Sequence, residues 1–201
     1  MTRHILFVLP LLSLLGLQCL ARTNGPAVGT EEYAVYSAVL EGVYSASHAK
    51  LLAVRGRTLQ EAPGGSTPGE RIRIMRHRLS PYPQDVAEDF IVKNAEPLTL
   101  GNHFRTRVRV RIVNDEEVAG FWRDWDTSRR KYPHWGTFLK KYPYSRGLIF
   151  LSRVGFSPDM RRALIYTGYA CGGECGKMYY VLLAKKEGRW AVERKHLTGF
   201  A

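Results

Sequence analysis

Two cysteines, Cys171 and Cys175, enclose Gly-Gly-Glu between two apolar runs. Set at the end of one strand and the start of the next, facing cysteines have Cα atoms about 4.5–5.5 Å apart, within disulfide reach. Redox dithiols usually stand two residues apart beside a helix start, and neither condition holds here. Zinc takes four ligands, and the chain has no second cysteine pair and no histidine pair nearby. The spacing therefore predicts a structural disulfide, with no metal and no cofactor expected.

A second pattern could bind anions. Arg105, Arg107, Arg109 and Arg111 alternate with Thr106, Val108, Val110 and Ile112. On a strand, that period puts four guanidinium groups on one sheet face over about 20 Å. Guanidinium forks match carboxylate and phosphate, so the row is a candidate anion-binding face. Arg71 and Arg73 would extend it if their segment pairs alongside. The plainer alternative is a solvated outer face, common in antiparallel sheets.

Other chemistry is sparse. There is no Gly-x-Ser-x-Gly elbow, no His-Glu-x-x-His, no phosphate-cradling glycine loop and no dinucleotide fingerprint. Histidines 4, 48, 77, 103, 134 and 196 are scattered. Ser152, Arg153 and Asp159 flank one predicted turn and could form a polar site, although turns use such residues anyway. Eight aromatics (Phe121, Trp122, Trp125, Tyr132, Trp135, Phe138, Tyr142 and Tyr144) crowd one region. At helical spacing they read as core; exposed, they could stack on sugars or a partner.

The elements that position these residues follow from periodicity and breakers. Residues 1–21 begin with Arg3 and His4, run apolar from Ile5 to Leu17 and end Cys19-Leu20-Ala21. That pattern predicts a cleaved secretory signal, too short to span a bilayer. Gln18 disfavours lipidation at Cys19. Residues 22–29 read as a flexible lead-in, and 30–201 as one domain. Thr30 caps a helix over about 31–46. Ala49–Gln60 reads as weakly extended, Arg71–Leu79 as a strand, and Gln84–Asn94 as a helix ended before Pro97. Phe104–Val113 reads as the clearest strand, followed by a helix capped at Asn114 or Asp115. Segments 147–154, 163–170, 178–186 and 189–195, joined by short turns, predict a four-strand antiparallel meander. The fold class expected is α+β, with the N-terminal helices packed on one face of a curved antiparallel sheet.

Several of these segments carry a resemblance. Leu151-Ser-Arg-Val-Gly-Phe-Ser157, Ala163-Leu-Ile-Tyr166, Cys171-Gly-Gly-Glu-Cys-Gly176, Tyr179-Tyr-Val-Leu-Leu183 and Gly188-Arg-Trp190 resemble a pattern in uncharacterised exported bacterial proteins. With Asp89-Phe90 and Lys93-Asn94 included, it spans roughly residues 85–195. The resemblance implies an envelope or secreted location and one compact domain, and carries over no functional residue. The helix-then-meander order is similar to cone-shaped nuclear-transport-factor-like folds, an analogy that implies no activity.

Charge sets the expected partner. Thirty basic residues against 18 acidic give +12, and loss of the leader removes only Arg3 among them. Such a balance favours anionic polymers, and export argues against nucleic acid. The first expectation is an exported, non-enzymatic binding domain whose basic face meets an anionic envelope polymer or another envelope protein. The alternatives are a hydrolase with its site in the sheet's concavity, and a thiol-redox or metal protein using the cysteine pair.

Overall fold

The computed structural model describes residues 28–45, 49–60, 67–123, 135–172 and 175–199. The leader 1–21, residues 22–27 of the lead-in, Trp125 and Tyr132 lie outside them, as does the side chain of Trp122. Helix α1 (Thr30–Val39) runs on into a π-helical turn, Leu40–Tyr44. Strand β1 (Leu51–Arg55) precedes α2 (Pro68–Leu79) and α3 (Gln84–Lys93). Strand β2 (Arg109–Val113) leads to α4 (Asp115–Arg123) and α5 (Trp135–Lys141). The last third holds β3 (Leu148–Leu151), β4 (Gly155–Phe156), β5 (Arg162–Gly172), β6 (Cys175–Lys186) and β7 (Arg189–Gly199).

The strands form one open sheet in the order β2-β1-β3-β5-β6-β7, with β4 paired to β5. β3, β5, β6 and β7 are mutually antiparallel, which is the expected meander. The other half differs, because β1 pairs in parallel with both β2 and β3. Parallel neighbours need crossover connections, and α2–α3 and α4–α5 supply them. Leu51-Leu52-Ala53-Val54 is buried throughout, as a central parallel strand requires. The α+β class holds, with a mixed sheet and helices on both faces.

Side-chain alternation shows the two layers. Leu52, Val54, Ile149, Leu151, Ile165, Val181 and Leu183 face α1, meeting Tyr36, Val39 and Leu40. On the opposite face, Leu164, Tyr180 and Leu182 meet Met75, Leu79, Val86 and Phe90 of α2 and α3. Farther along it, Leu51, Ala53 and Leu148 meet Phe138 of α5 and Tyr142 just after it. The described aromatics 121, 135, 138 and 142 pack ring to ring at 5.0–6.3 Å, the core reading, whereas Tyr144 is exposed.

Segment 71–79 is helix, not the strand expected from Arg-Ile-Arg-Ile alternation. Thr67 accepts a hydrogen bond from the Glu70 amide at 3.2 Å, and Pro68 stands in the first turn, so α2 is capped and started. Only Met75 and Leu79, four apart, are buried in it. Strand 104–113 is also shorter than expected, beginning at Arg109. The cap of α1 is Gly29 rather than Thr30.

A buried ion pair joins the layers. Glu32 of α1 is 4% exposed, and its carboxylate accepts from Arg153 Nε at 2.9 Å and Nη2 at 3.1 Å. The Val154 amide donates to the same carboxylate at 3.2 Å, and the Arg153 amide donates to Asn94 Oδ1 at 2.8 Å. The Tyr36 hydroxyl donates to the Ser152 carbonyl at 3.0 Å, and Asp89 of α3 accepts from the Phe156 amide at 2.7 Å. Gly155 lets α3 approach, since a Cβ there would stand 2.5 Å from the Phe90 nitrogen. Breaking a buried pair by removing one partner costs about 3 kcal/mol or more, while an exposed pair is worth at most about 1. Arg153→Ala should therefore lower urea-unfolding stability by about 3 kcal/mol. Arg76→Ala, which breaks the exposed pair with Glu88, should lower it far less; equal losses would refute this ranking.

Candidate functional site

At the free end of the meander, tyrosines occupy both faces of the sheet. Tyr169 and Tyr179 point to the α1 side, and Tyr166 and Tyr180 to the other. The π-helical turn brings Tyr44 to the first pair, closed by a Ser45 amide to Leu40 carbonyl bond of 2.9 Å. Such a one-residue insertion in the helical ladder re-aims the side chains after it. The Tyr44 hydroxyl is 3.0 Å from Thr167 Oγ1, and its ring meets Tyr169 edge-on at 6.2 Å.

These three rings wall a cavity of about 160 Å³ whose deepest side chains are Leu52 and Ile149. Arg146 and Lys195 stand exposed at its rim. The Lys195 ammonium lies 4.9 Å over the Tyr179 ring, a cation–π contact. Gly147, with φ +120°, starts β3 where a Cβ would fall 2.2 Å from the Ala170 carbonyl oxygen.

The disulfide closes the hairpin that carries Tyr169 and Tyr179. Cys171 and Cys175 are bonded with Cα atoms 5.1 Å apart. They do not face each other in register, however. Cys175 pairs with Gly172, and Cys171 falls in the register break between Ala170 and Gly172. The bulge turns the Cys171 side chain toward its partner, and its Cβ sits 2.8 Å from where a Gly147 Cβ would be.

The arginine row is divided between the two sides of the sheet. Arg109 and Arg111 pair in register with Leu51 and Ala53, on the face that carries α4 and α5. Arg107 lies before the strand and turns to the α1 side, where its amide and guanidinium both donate to Glu41. The Arg105 amide donates to Ser37 Oγ at 2.9 Å. Burial pushes the Glu41 carboxyl up, but the Arg107 amide and guanidinium outweigh it and hold the group below its usual range. Arg71 and Arg73 lie on α2 and add nothing to a sheet face.

Two further concavities share the character of the first. One of about 410 Å³ is lined by Tyr82, Tyr166 and Tyr180 with Arg78, Arg194 and His196. There the Arg194 guanidinium lies 5.0 Å over Tyr82 and donates to the Pro81 carbonyl at 2.9 Å. The other is an open groove of about 1000 Å³ that includes Tyr33, Trp190, His103, Arg105 and Arg189. Among the described residues, no Asp or Glu lines any of these three.

The remaining expected polar site separates into structural parts. Ser152 and Arg153 belong to the interlayer network, while Asp159 accepts from the Ser157 hydroxyl at 2.6 Å and shapes its turn. That hydroxyl, first, and the Arg161 amide lower the Asp159 carboxyl. Among the described residues no three His, Cys, Asp or Glu side chains are grouped to hold a metal. Local spacing missed the pairing of Arg146 with Lys195, which only sheet register brings together. The one signal that was available is the Tyr179-Tyr180 doublet, which must supply a ring to each face. No family model, curated protein or solved structure matches the chain.

Gly147→Ala should destabilise the fold by at least about 2 kcal/mol in urea unfolding, from combined positive φ and overlap; a smaller loss would show that the hairpin relaxes. Alkaline pH gives a second test. Burial raises the phenol pKa values of Tyr36 and Tyr44, so the folded state favours their protonated forms. Tyr142 is raised to about 12, by burial and then by its hydrogen bond to Glu117. Their stabilisation is complete below an ordinary tyrosine pKa of about 10 and is lost as pH rises through the shifted values. Phenolate absorbance from Tyr36 and Tyr44 should emerge only with unfolding; full ionisation near pH ~10 in an intact fold would refute their burial.

Proposed function

We propose that this chain is an exported, non-enzymatic binding domain for an anionic partner, best matched by an acidic polymer of the cell envelope. One observation carries the reading: three concavities combine aromatic walls with basic side chains and have no carboxylate among their described lining residues. A fourth, of about 750 Å³, differs: its described lining has no aromatic wall and sets Asp85, Asp159 and Glu193 among Arg161, Arg162, Lys185 and Lys186. Catalysis of hydrolysis usually needs a carboxylate or a paired nucleophile and base, whereas cation-rimmed aromatic surfaces need only an anion to satisfy them. The excess of basic over acidic residues acts in the same direction over longer range.

Export is supported by the apolar leader at 1–21 and by the disulfide, which persists in oxidising compartments. No helix among the described residues is long and apolar enough to cross a membrane. An acidic envelope protein would satisfy the same charges as a polymer would. Among the described residues, no carboxylate pairs with Arg105, Arg109 or Arg111, so these remain able to meet an external anion.

Binding to a sulfated polysaccharide should weaken steeply with salt, and binding to neutral dextran should be absent. At about 1 kcal/mol for each cation near an anionic surface, Arg105→Gln with Arg189→Gln should weaken it roughly tenfold or more at low salt. Arg76→Gln, whose guanidinium is already paired with Glu88, should leave it within about twofold. Salt-insensitive binding, or none, would remove the proposal.

A further inference from the structure

The cavity between the π-helical turn and the meander is the smallest of the three concavities. Its walls are the rings of Tyr44, Tyr169 and Tyr179, and the charged side chains among its described lining residues are Arg146 and Lys195. Its volume, about 160 Å³, is close to that of an engineered apolar cavity of about 150 Å³ that admits benzene. One six-membered ring fills it. Leu52 and Ile149 beneath and the tyrosine ring faces around favour a ligand with a carbon body, which inorganic phosphate lacks. Two cations at the exposed rim, with no acid among the lining residues, require a negative group on that body.

We infer that this cavity binds a single six-membered ring bearing a carboxylate. The ring lies among Tyr44, Tyr169 and Tyr179, and the carboxylate lies at Arg146 and Lys195. The inference rests on the anion-binding reading and names its ligand chemistry. Tyrosine offers broad amphipathic contact at low conformational cost, suited to the face of a sugar or an aromatic ring. The site is also held in shape before any ligand arrives. Thr167 fixes the Tyr44 hydroxyl, and the Cys171–Cys175 bond closes the hairpin that carries the other two rings. Lys195 rests on the Tyr179 face, at the cavity's rim.

The ring acid has two sources, a uronic acid unit of a polysaccharide or a free aromatic carboxylate, and titration separates them. The full chain is titrated calorimetrically with D-galacturonate and with benzoate, each against its neutral counterpart, galactose or benzyl alcohol. At least one acid should bind tenfold or more tighter than its neutral partner, and the better acid identifies the source. Arg146→Gln with Lys195→Gln should weaken that acid by roughly tenfold or more while moving the unfolding midpoint only slightly, since both side chains are exposed and only the Lys195 contact with the Tyr179 ring is lost. Tyr179→Ala should weaken the acid and its neutral partner alike.

Should neither acid bind, or should binding survive the double substitution, the site assignment is overturned. If sulfated polysaccharide is still retained in that case, the broader anion-binding reading stands. Ring-acid binding without any polymer retention would instead remove the polymer reading and keep the site.

Discussion

A carboxylate enclosed by protein must have its oxygens fully occupied, and Glu32 meets that constraint with groups drawn from separate parts of the fold. Its own helix start supplies the Gly29 amide, and the segment between β3 and β4 supplies the Arg153 guanidinium and the Val154 amide. Asn94 then ties that same segment to α3 through both the amide and the carbonyl of Arg153. The sheet is gripped from both sides at one place. The energetic sign is asymmetric: a complete arrangement contributes modestly, whereas an incomplete one is strongly unfavourable. This makes the network a strong determinant of how α1 and α3 sit relative to the sheet.

The large groove of Tyr33 and Trp190 runs beside the start of α1, whereas the two smaller concavities lie away from this grip, toward the far end of the meander. There the helices no longer cover the strands, and β7 is exposed along nearly its whole length. Tyrosine serves both ends: Tyr36 is sealed in the core, while Tyr179 is partly open beneath a lysine. A ring with one polar atom can do either, depending on whether protein or solvent meets its hydroxyl.

How much of this was legible depended on the range of the forces involved. The meander was legible because its pairings are local and its turns short, as at Glu187-Gly188, where both residues have positive φ. The cap at Asn114 was legible too, and Glu117 completes it reciprocally. Helix α2 was misjudged because alternating Arg and Ile mimics a strand, although Thr67-Pro68-Gly69-Glu70 already carried a start signal. The arginine row failed for a different reason. Glu41 reaches Arg107 across 66 positions of sequence, a contact that no local period encodes. The cavity combines residues 44, 146, 169, 179 and 195, so it exists only once strand register is set.

The placement of β1 has a bearing on the order in which the chain can assemble. This strand comes first in sequence yet lies between β2 and β3, and its register partners are residues 109–113 and 148–149. A polypeptide emerging from a ribosome or translocation pore must therefore hold Leu51-Leu52-Ala53-Val54 without its final neighbours until about three-quarters of its length is out. Late, non-local closure of this kind slows folding and prolongs the exposure of an apolar segment. Under the proposed export in extended form, that delay would keep the centre of the sheet from locking before passage is nearly complete.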